Sequence, residues 1–333
     1  MTALQVRLRS LLVVSASLAA LACGTVNVRV PVMRQAEINM APYSSVGVGE
    51  VKYSGNTGGN NAVGALLEQD LVAANRFQVV DRQRMDAVMR ELRLSASDLS
   101  SPSSATKLGQ QITAGALVFG DVTENYQEQA TEEHSQDKDN KPHTVFKLRG
   151  TANVRATFKV VDVSTGRLLI SKTYTEKRED TNKGYDKRPE PIDRESLLTA
   201  GRNEVVNKFM KAIVPHQEFA NAPFQKDSDL PQLEGGIGWA QRGEWKKAQD
   251  SFNSAISDAE KNPKIKSDQL AKAYFDLGLA YEYSAEYDKA QKMVEKAQQL
   301  SGNNDYLTEM DNIRQLQLDA KKLAEQSAQP GVN

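Results

Sequence analysis

The chain has 333 residues, with 42 Lys and Arg against 43 Asp and Glu, a formal net charge of −1, and 39% hydrophobic residues. Balanced charge excludes a global field that would gather nucleic acid or an anionic membrane surface. The length fits two domains of roughly 100–200 residues each once a leader is removed.

That leader is the first element. Arg7 and Arg9 precede an apolar run over residues 11–22, and Cys23, the single cysteine, follows it. A positive flank, a short apolar segment and small residues before a cut site make a secretory signal peptide. The run is about a dozen residues, whereas a helix needs about 20 to span a bilayer. Ala19-Ala20-Leu21-Ala22-Cys23 resembles the lipobox of bacterial lipoproteins, with Ala20 where leucine is commoner. The resemblance implies removal of residues 1–22 and acylation of Cys23. Several acyl chains make a durable anchor where one holds only reversibly. Acylation also leaves no thiol for a disulfide. Gly24, in place of an aspartate, points to the outer membrane. The alternative is an ordinary secreted protein with an unmodified cysteine.

Residues 23–42 read as a lipidated tether. The first strand is expected over 46–53, broken by the Gly/Asn cluster at 55–61. A helix then places Val63, Leu66, Leu67, Leu71 and Ala74 on one face. A short strand at 77–80 leads to Asp81, which can cap a second helix bearing Met85, Val88, Met89 and Leu92. Residues 95–104 read as a serine-rich loop and 106–112 as a short helix. A strand at 116–126 and a charged loop at 128–141 precede the longest strand, 151–163. There Val154, Ala156, Phe158 and Val160 alternate with Arg155, Thr157 and Lys159, the mark of a sheet with one buried and one wet face. Residues 164–166 turn into a partner strand at 168–175. A helix at 195–213 carries Leu198, Val205, Phe209 and Ile213 and is stopped by Pro215. This order predicts an α+β domain over 43–215, a sandwich of helices on a mixed or antiparallel sheet.

A linker at 216–228 leads to a purely helical region over 229–325, with a tail at 326–333. Gly236, Trp239, Gly243, Trp245, Ala248, Phe252 and Ala255 echo Gly278, Tyr281, Ala285, Tyr287, Ala290, Val294 and Ala297 at an offset of 42. The pattern resembles tetratricopeptide-type helical hairpins with a closing helix bearing Leu307, Met310, Ile313, Leu316 and Leu323. A generic helical bundle is the alternative. Stacked helix pairs suit partner binding, and Trp239, Tyr274, Tyr281 and Tyr283 are the candidate partner-binding residues.

In the first domain, Asn75-Arg76-Phe77, Val79-Val80-Asp81-Arg82 and then Met85, Val88, Met89 and Glu91 resemble a signature of curli assembly/transport (CsgG-type) lipoproteins. Residues 116–122 and 160–168 supply two further blocks in the same order. The resemblance covers about residues 43–215 and implies a periplasmic α/β domain at the outer membrane, often arranged in rings. Its best-known members insert two hairpins per subunit to build a secretion pore. Here those two places, 127–143 and 176–195, are crowded with charge, Glu132, Glu133, Asp137 and Lys138 in one and Lys177, Arg178, Glu179 and Asp180 in the other. A lysine or arginine facing lipid near the midplane costs about 2–4 kcal/mol. The loop that narrows the pore in channel members is short and glycine-rich here, with Tyr53 and Asn56.

Chemistry is sparse. His134, His143 and His216 are expected in or near loops, and no zinc, nucleophile-elbow or phosphate-loop pattern occurs. Asp137-Lys138-Asp139 opens like a calcium loop, but Pro142 and His143 arrive where its glycine region belongs. Gly55, Gly58 and Gly59 read as a turn. The expectation is therefore a protein without cofactor, metal or enzymatic activity. It would be an outer-membrane-anchored, periplasm-facing lipoprotein serving as an adaptor or assembly factor for other envelope proteins or exported components. Homo-oligomers are possible partners and nucleic acid is not. The alternatives are an oligomeric curli-type secretion channel and an activator of a cell-wall synthase.

Overall fold

A computed structural model describes residues 24–58, 61–80, 82–94, 98, 104, 107, 108, 111, 115–136 and 138–327. The leader, Cys23, the Asp81 cap, the side chains of residues 82–86, most of the 95–112 stretch and the end of the tail lie outside the described residues. In chain order the elements are β1 (Thr25–Arg34), β2 (Ser45–Gly55), α1 (Ala62–Ala73), β3 (Gln78–Val80), α2 (Arg82–Glu91), β4 (Ala116–Gln136), β5 (Pro142–Asp162) and β6 (Leu168–Tyr185). Then come α3 (Arg194–Ile213), β7 (His216–Gln225), α4 (Gln232–Ala240), α5 (Trp245–Lys261), α6 (Ser267–Tyr283), α7 (Tyr287–Ser301) and α8 (Asp305–Ser327). They form two compact units. One joins the residues up to Val32 to Phe219–Gln317, and the other joins Met33–Glu218 to the residues from Leu318 onward.

The second unit is built on a five-stranded mixed sheet in the order β3-β2-β4-β5-β6. β2 runs parallel to β3 and β4, and β4, β5 and β6 are antiparallel neighbours. Alternation fixes the faces: Val154, Ala156, Phe158 and Val160 are fully buried, while Arg155 and Lys159 are exposed. On the buried face lie Val63, Leu67 and Leu71 of α1 with Leu198, Val205 and Phe209 of α3. Phe158 stacks on Phe209 at 4.5 Å between centroids, an arrangement worth about 0.5–1.5 kcal/mol beyond the area buried. Asp193 starts α3 by accepting the Ser196 N–H at 3.0 Å. Near Gly115 the opposite face is apolar at Leu117, Phe119, Val161 and Val163, where Val88, Met89 and Leu92 pack.

Four segments differ from the expectations. The charged segment 128–141 is mostly strand, because β4 and β5 pair without interruption from Ala116↔Asp162 to Gln136↔Pro142. β6 likewise continues ten residues past Thr175, to Tyr185. Charge does not oppose a strand whose backbone is satisfied by a ladder and whose side chains alternate in sign across it. The segment read as a tether carries β1, with Val28 and Val30 buried, and Met40 joins the core of the sheet unit. The segment read as a linker carries β7, paired with β1.

The first unit is mainly helical, with α4 to α7 and the residues of α8 up to Gln317. Ala222 and Phe224 of β7 join Val28 and Val30 of β1 in its core, and Phe224 stacks on Phe252 at 5.7 Å. The 42-residue echo has a structural counterpart. A Cβ on Gly236 would lie 2.3 Å from the Phe252 ring, and one on Gly278 would lie 2.5 Å from a Val294 methyl. Hydrogen at these two positions lets each helix pair close. Both α4 and α6 end on a left-handed residue at the equivalent place, Gly243 (φ 73°) and Ala285 (φ 63°). The following N–H then returns to the helix: Glu244 donates to Trp239 O at 3.0 Å and Glu286 to Tyr281 O at 2.8 Å. Among the described residues no helix is long and apolar enough to cross a membrane.

Candidate interaction surfaces

Of the residues singled out from sequence, Cys23 lies outside the described residues. Trp239 closes α4 and is 38% exposed. Lys247 stands over its ring at 4.7 Å and Arg242 at 5.7 Å. The equivalent position in the second helix pair repeats the motif, with Lys289 over Tyr281 at 5.3 Å. Each lysine also meets a glutamate three residues earlier, Glu244 at 3.4 Å and Glu286 at 2.5 Å. Cation–aromatic pairs at exposed sites contribute about 0.5–1 kcal/mol each and hold the ring in one orientation.

The other two tyrosines serve packing. Tyr274 is half-buried and donates to Glu260 at 2.8 Å. Burial first, and then this bond, push its hydroxyl up to about 12. Tyr283 stacks on Trp245 at 5.7 Å. Trp239 is the only one of the four that is exposed, with Tyr281 half-buried beneath its lysine.

Several polar groups were not anticipated. In the sheet unit, Arg202 of α3 is 4% exposed and grips the fully buried Glu124 of β4 with two bonds, Nε to Oε1 at 2.8 Å and Nη2 to Oε2 at 2.7 Å. Nη1 reaches Glu195, and Thr57 donates to Glu124 at 3.1 Å. The Glu124 bonds chiefly hold the guanidinium in its charged form. Strand parity carried the signal, since Glu124 continues the buried series Val118, Gly120, Val122, and Arg202 lies between Leu198 and Val205 on one stripe. In the helical unit, Asp276 is fully buried and accepts the Gln225 N–H at 2.8 Å. Burial raises its carboxyl well above the ordinary value, and the Gln225 N–H and the nearby Lys272 oppose that rise only in part. Nearby Lys272 pairs with Asp227 at 2.8 Å, and its hydrogen bonds hold Asp227 below the usual range despite burial.

The distal part of β4, β5 and β6 has two differently made faces. On the core side, Ala130, Phe146 and Leu148 line a cavity of about 850 Å³ together with Lys187, Arg188 and Pro189. The 186–191 segment is pinned there, Asp186 accepting the Thr144 N–H at 2.7 Å and Asn182 donating to the carbonyls of Glu190 and Pro191. On the other side the side chains are polar or charged inward of Val145 and Tyr185 at the tip. Among the described residues no group of three His, Cys, Asp or Glu is placed to hold a metal ion.

The family model for the curli production assembly/transport component CsgG matches residues 17–187. No curated protein matches the chain. Among solved structures, the chain is similar to the LpoB C-terminal domain from Salmonella enterica at 17% identity, covering 40% of this chain and 83% of that one with a TM-score of 0.25. It is also similar to the PelC dodecamer from Paraburkholderia phytofirmans at 13% identity, covering 56% and 98% with a TM-score of 0.25.

Proposed function

This chain belongs to the family of the curli production assembly/transport component CsgG, and from that premise we propose a non-enzymatic periplasmic adaptor or assembly factor, tied to the outer membrane through acylated Cys23. The sheet unit supplies the family domain. The helices of the other unit, beyond the matched residues, act as a tetratricopeptide-type partner-binding module centred on Trp239. Its partners are other envelope proteins or exported components, and homo-oligomers are compatible with the family.

One observation carries the adaptor reading over a channel. Where channel members of the family insert hairpins, the strands here place charge on both faces, Glu128, Glu132, Arg178 and Asp180 on one and Glu133, Lys147, Arg149 and Lys183 on the other. A membrane-crossing strand needs one face of apolar residues, and neither face offers it. The length of the ladder does favour the channel as a second reading, because strands rather than loops occupy the first of those places.

Planar-bilayer recordings on the purified full chain separate the two, with no current expected. Steps of stable conductance would overturn the adaptor. A photo-crosslinking side chain at Trp239 in the full chain should yield adducts with envelope proteins in intact cells. Their absence at Trp239, with crosslinks still forming from exposed Val72, would remove the partner role of the helical unit. Loss of membrane partitioning in Cys23→Ala is the expected sign of the anchor.

A further inference from the structure

The odd-numbered residues of β4, β5 and β6 share the face opposite the core, because the register pairs odd with odd: Asp121↔Thr157, Glu133↔Val145, Thr151↔Glu179. On it stand Lys147, Arg149, Arg155 and Lys159 of β5 with Lys177 and Lys183 of β6. The only carboxylates at odd positions between Asp121 and Lys183 in these strands are Asp121, Glu133 and Glu179. Six cations less three carboxylates leave this face at +3 in a chain whose net charge is −1. Lys159 pairs with Asp121 at 3.6 Å, Lys177 with Glu179 at 2.7 Å, and Lys147 with Glu133. Arg149 lies within electrostatic reach of Glu179 and Lys183 of Glu133, but each of those carboxylates is already paired with another lysine, and neither cation nor Arg155 forms a close ion pair among the described residues.

Between these charges the face is paved with hydroxyls and amides. Thr157 and Thr173 bond each other at 2.8 Å across the strands, and Asn125, Gln127 and Gln129 follow along β4. Its large apolar residues over this span, Val145 and Tyr185, are at the tip. Inward of that tip, a surface without apolar or aromatic side chains neither inserts into an acyl layer nor stacks nucleic acid bases. It does match a ligand that combines negative charge with many hydroxyls. Arg149 and Arg155 are six residues apart, about 20 Å along an antiparallel strand, so one ligand reaching both is a polymer. We propose that this face binds an extended, carboxylate-bearing polysaccharide. The carboxylates meet Arg149, Arg155 and Lys183, where guanidinium offers paired N–H donors, and the threonine hydroxyls and side-chain amides take the sugar hydroxyls.

The test uses the full chain, with polygalacturonate as probe and neutral dextran, anionic phosphatidylglycerol vesicles and single-stranded DNA as comparisons, by titration calorimetry. Polygalacturonate should bind, less tightly as salt rises, and dextran should not. The triple variant Arg149→Gln, Arg155→Gln, Lys183→Gln should bind at least about tenfold more weakly with its urea midpoint unchanged. A matched triple in the helical unit, Lys246→Gln, Lys292→Gln, Lys296→Gln, should leave binding as it was. The proposal is overturned by no binding of polygalacturonate, by equal loss in both triples, or by tighter binding of vesicles or DNA.

Discussion

Replacing Arg202 with methionine should unfold the sheet unit far more readily than its size change alone would. Methionine preserves much of the buried stem but leaves Glu124, fully buried, with only the Thr57 hydroxyl as a side-chain partner. Breaking a buried pair in this way costs about 3–5 kcal/mol, because a charge is stranded away from water. The bond to Glu195, which is two-thirds exposed, adds little. With a urea dependence of about 2 kcal/mol per molar, the midpoint of the sheet unit should fall by about 2 M. Both tryptophans, Trp239 and Trp245, lie in the helical unit. Tryptophan fluorescence therefore monitors the unaltered unit while far-UV circular dichroism follows both. Removing the carboxylate as well, in Arg202→Met with Glu124→Leu, should recover most of the loss. A single variant costing under about 1 kcal/mol, or a double variant as unstable as the single, would refute the buried-pair argument.

Other expectations follow from the same structure. Ala285→Gly should stabilise the helical unit slightly, by at most about 1 kcal/mol, since a left-handed alanine costs about 1–2 kcal/mol and added chain entropy offsets part of the relief. Gly243→Ala should destabilise it by about 1 kcal/mol, and thermal midpoints check both. Asp276 binds its proton more tightly folded than unfolded, so its contribution is complete below the ordinary carboxylate range and is lost as pH rises toward the raised value. Asp276→Asn should abolish that part of the decline, seen as a fluorescence-monitored midpoint that falls less between pH 4 and pH 8. Gln326, whose side chain bonds both the N–H and the carbonyl of Ala36 at 2.8 Å, anchors the end of α8 within the sheet unit. Gln326→Ala should lower that unit's stability by about 1–3 kcal/mol in the same urea assay.

Much of this fold was legible in the residues. Val154 to Val160 announced their strand by parity, and Leu198 to Ile213 announced α3 by stripe, because burial imposes both periods directly. The ends of strands were not legible. Residues 128–136 carry almost no apolar side chain, and only a paired backbone, invisible to hydropathy, makes them strand. β1 was missed because its alternation, with Val28 and Val30 inward, sits where an acylated leader suggests slack chain. At the candidate surfaces, Trp239 and Tyr281 came from the 42-residue echo, whereas the cation over each ring depends on how α5 and α7 pack back. Glu124 and Arg202 were readable in principle: each is a charged residue in phase with a buried series.

The β4–β5 hairpin runs through all its pairs with no bulge, from Ala116↔Asp162 to Gln136↔Pro142. Side chains along it keep their sides only by counting. Losing one residue from either strand would turn over everything farther out, moving Arg149 or its neighbours to the cavity side and Phe146 into water. Losing two from each strand would merely shorten the hairpin. Natural variation in its length should therefore arrive in even steps, and an odd step should come with a compensating bulge.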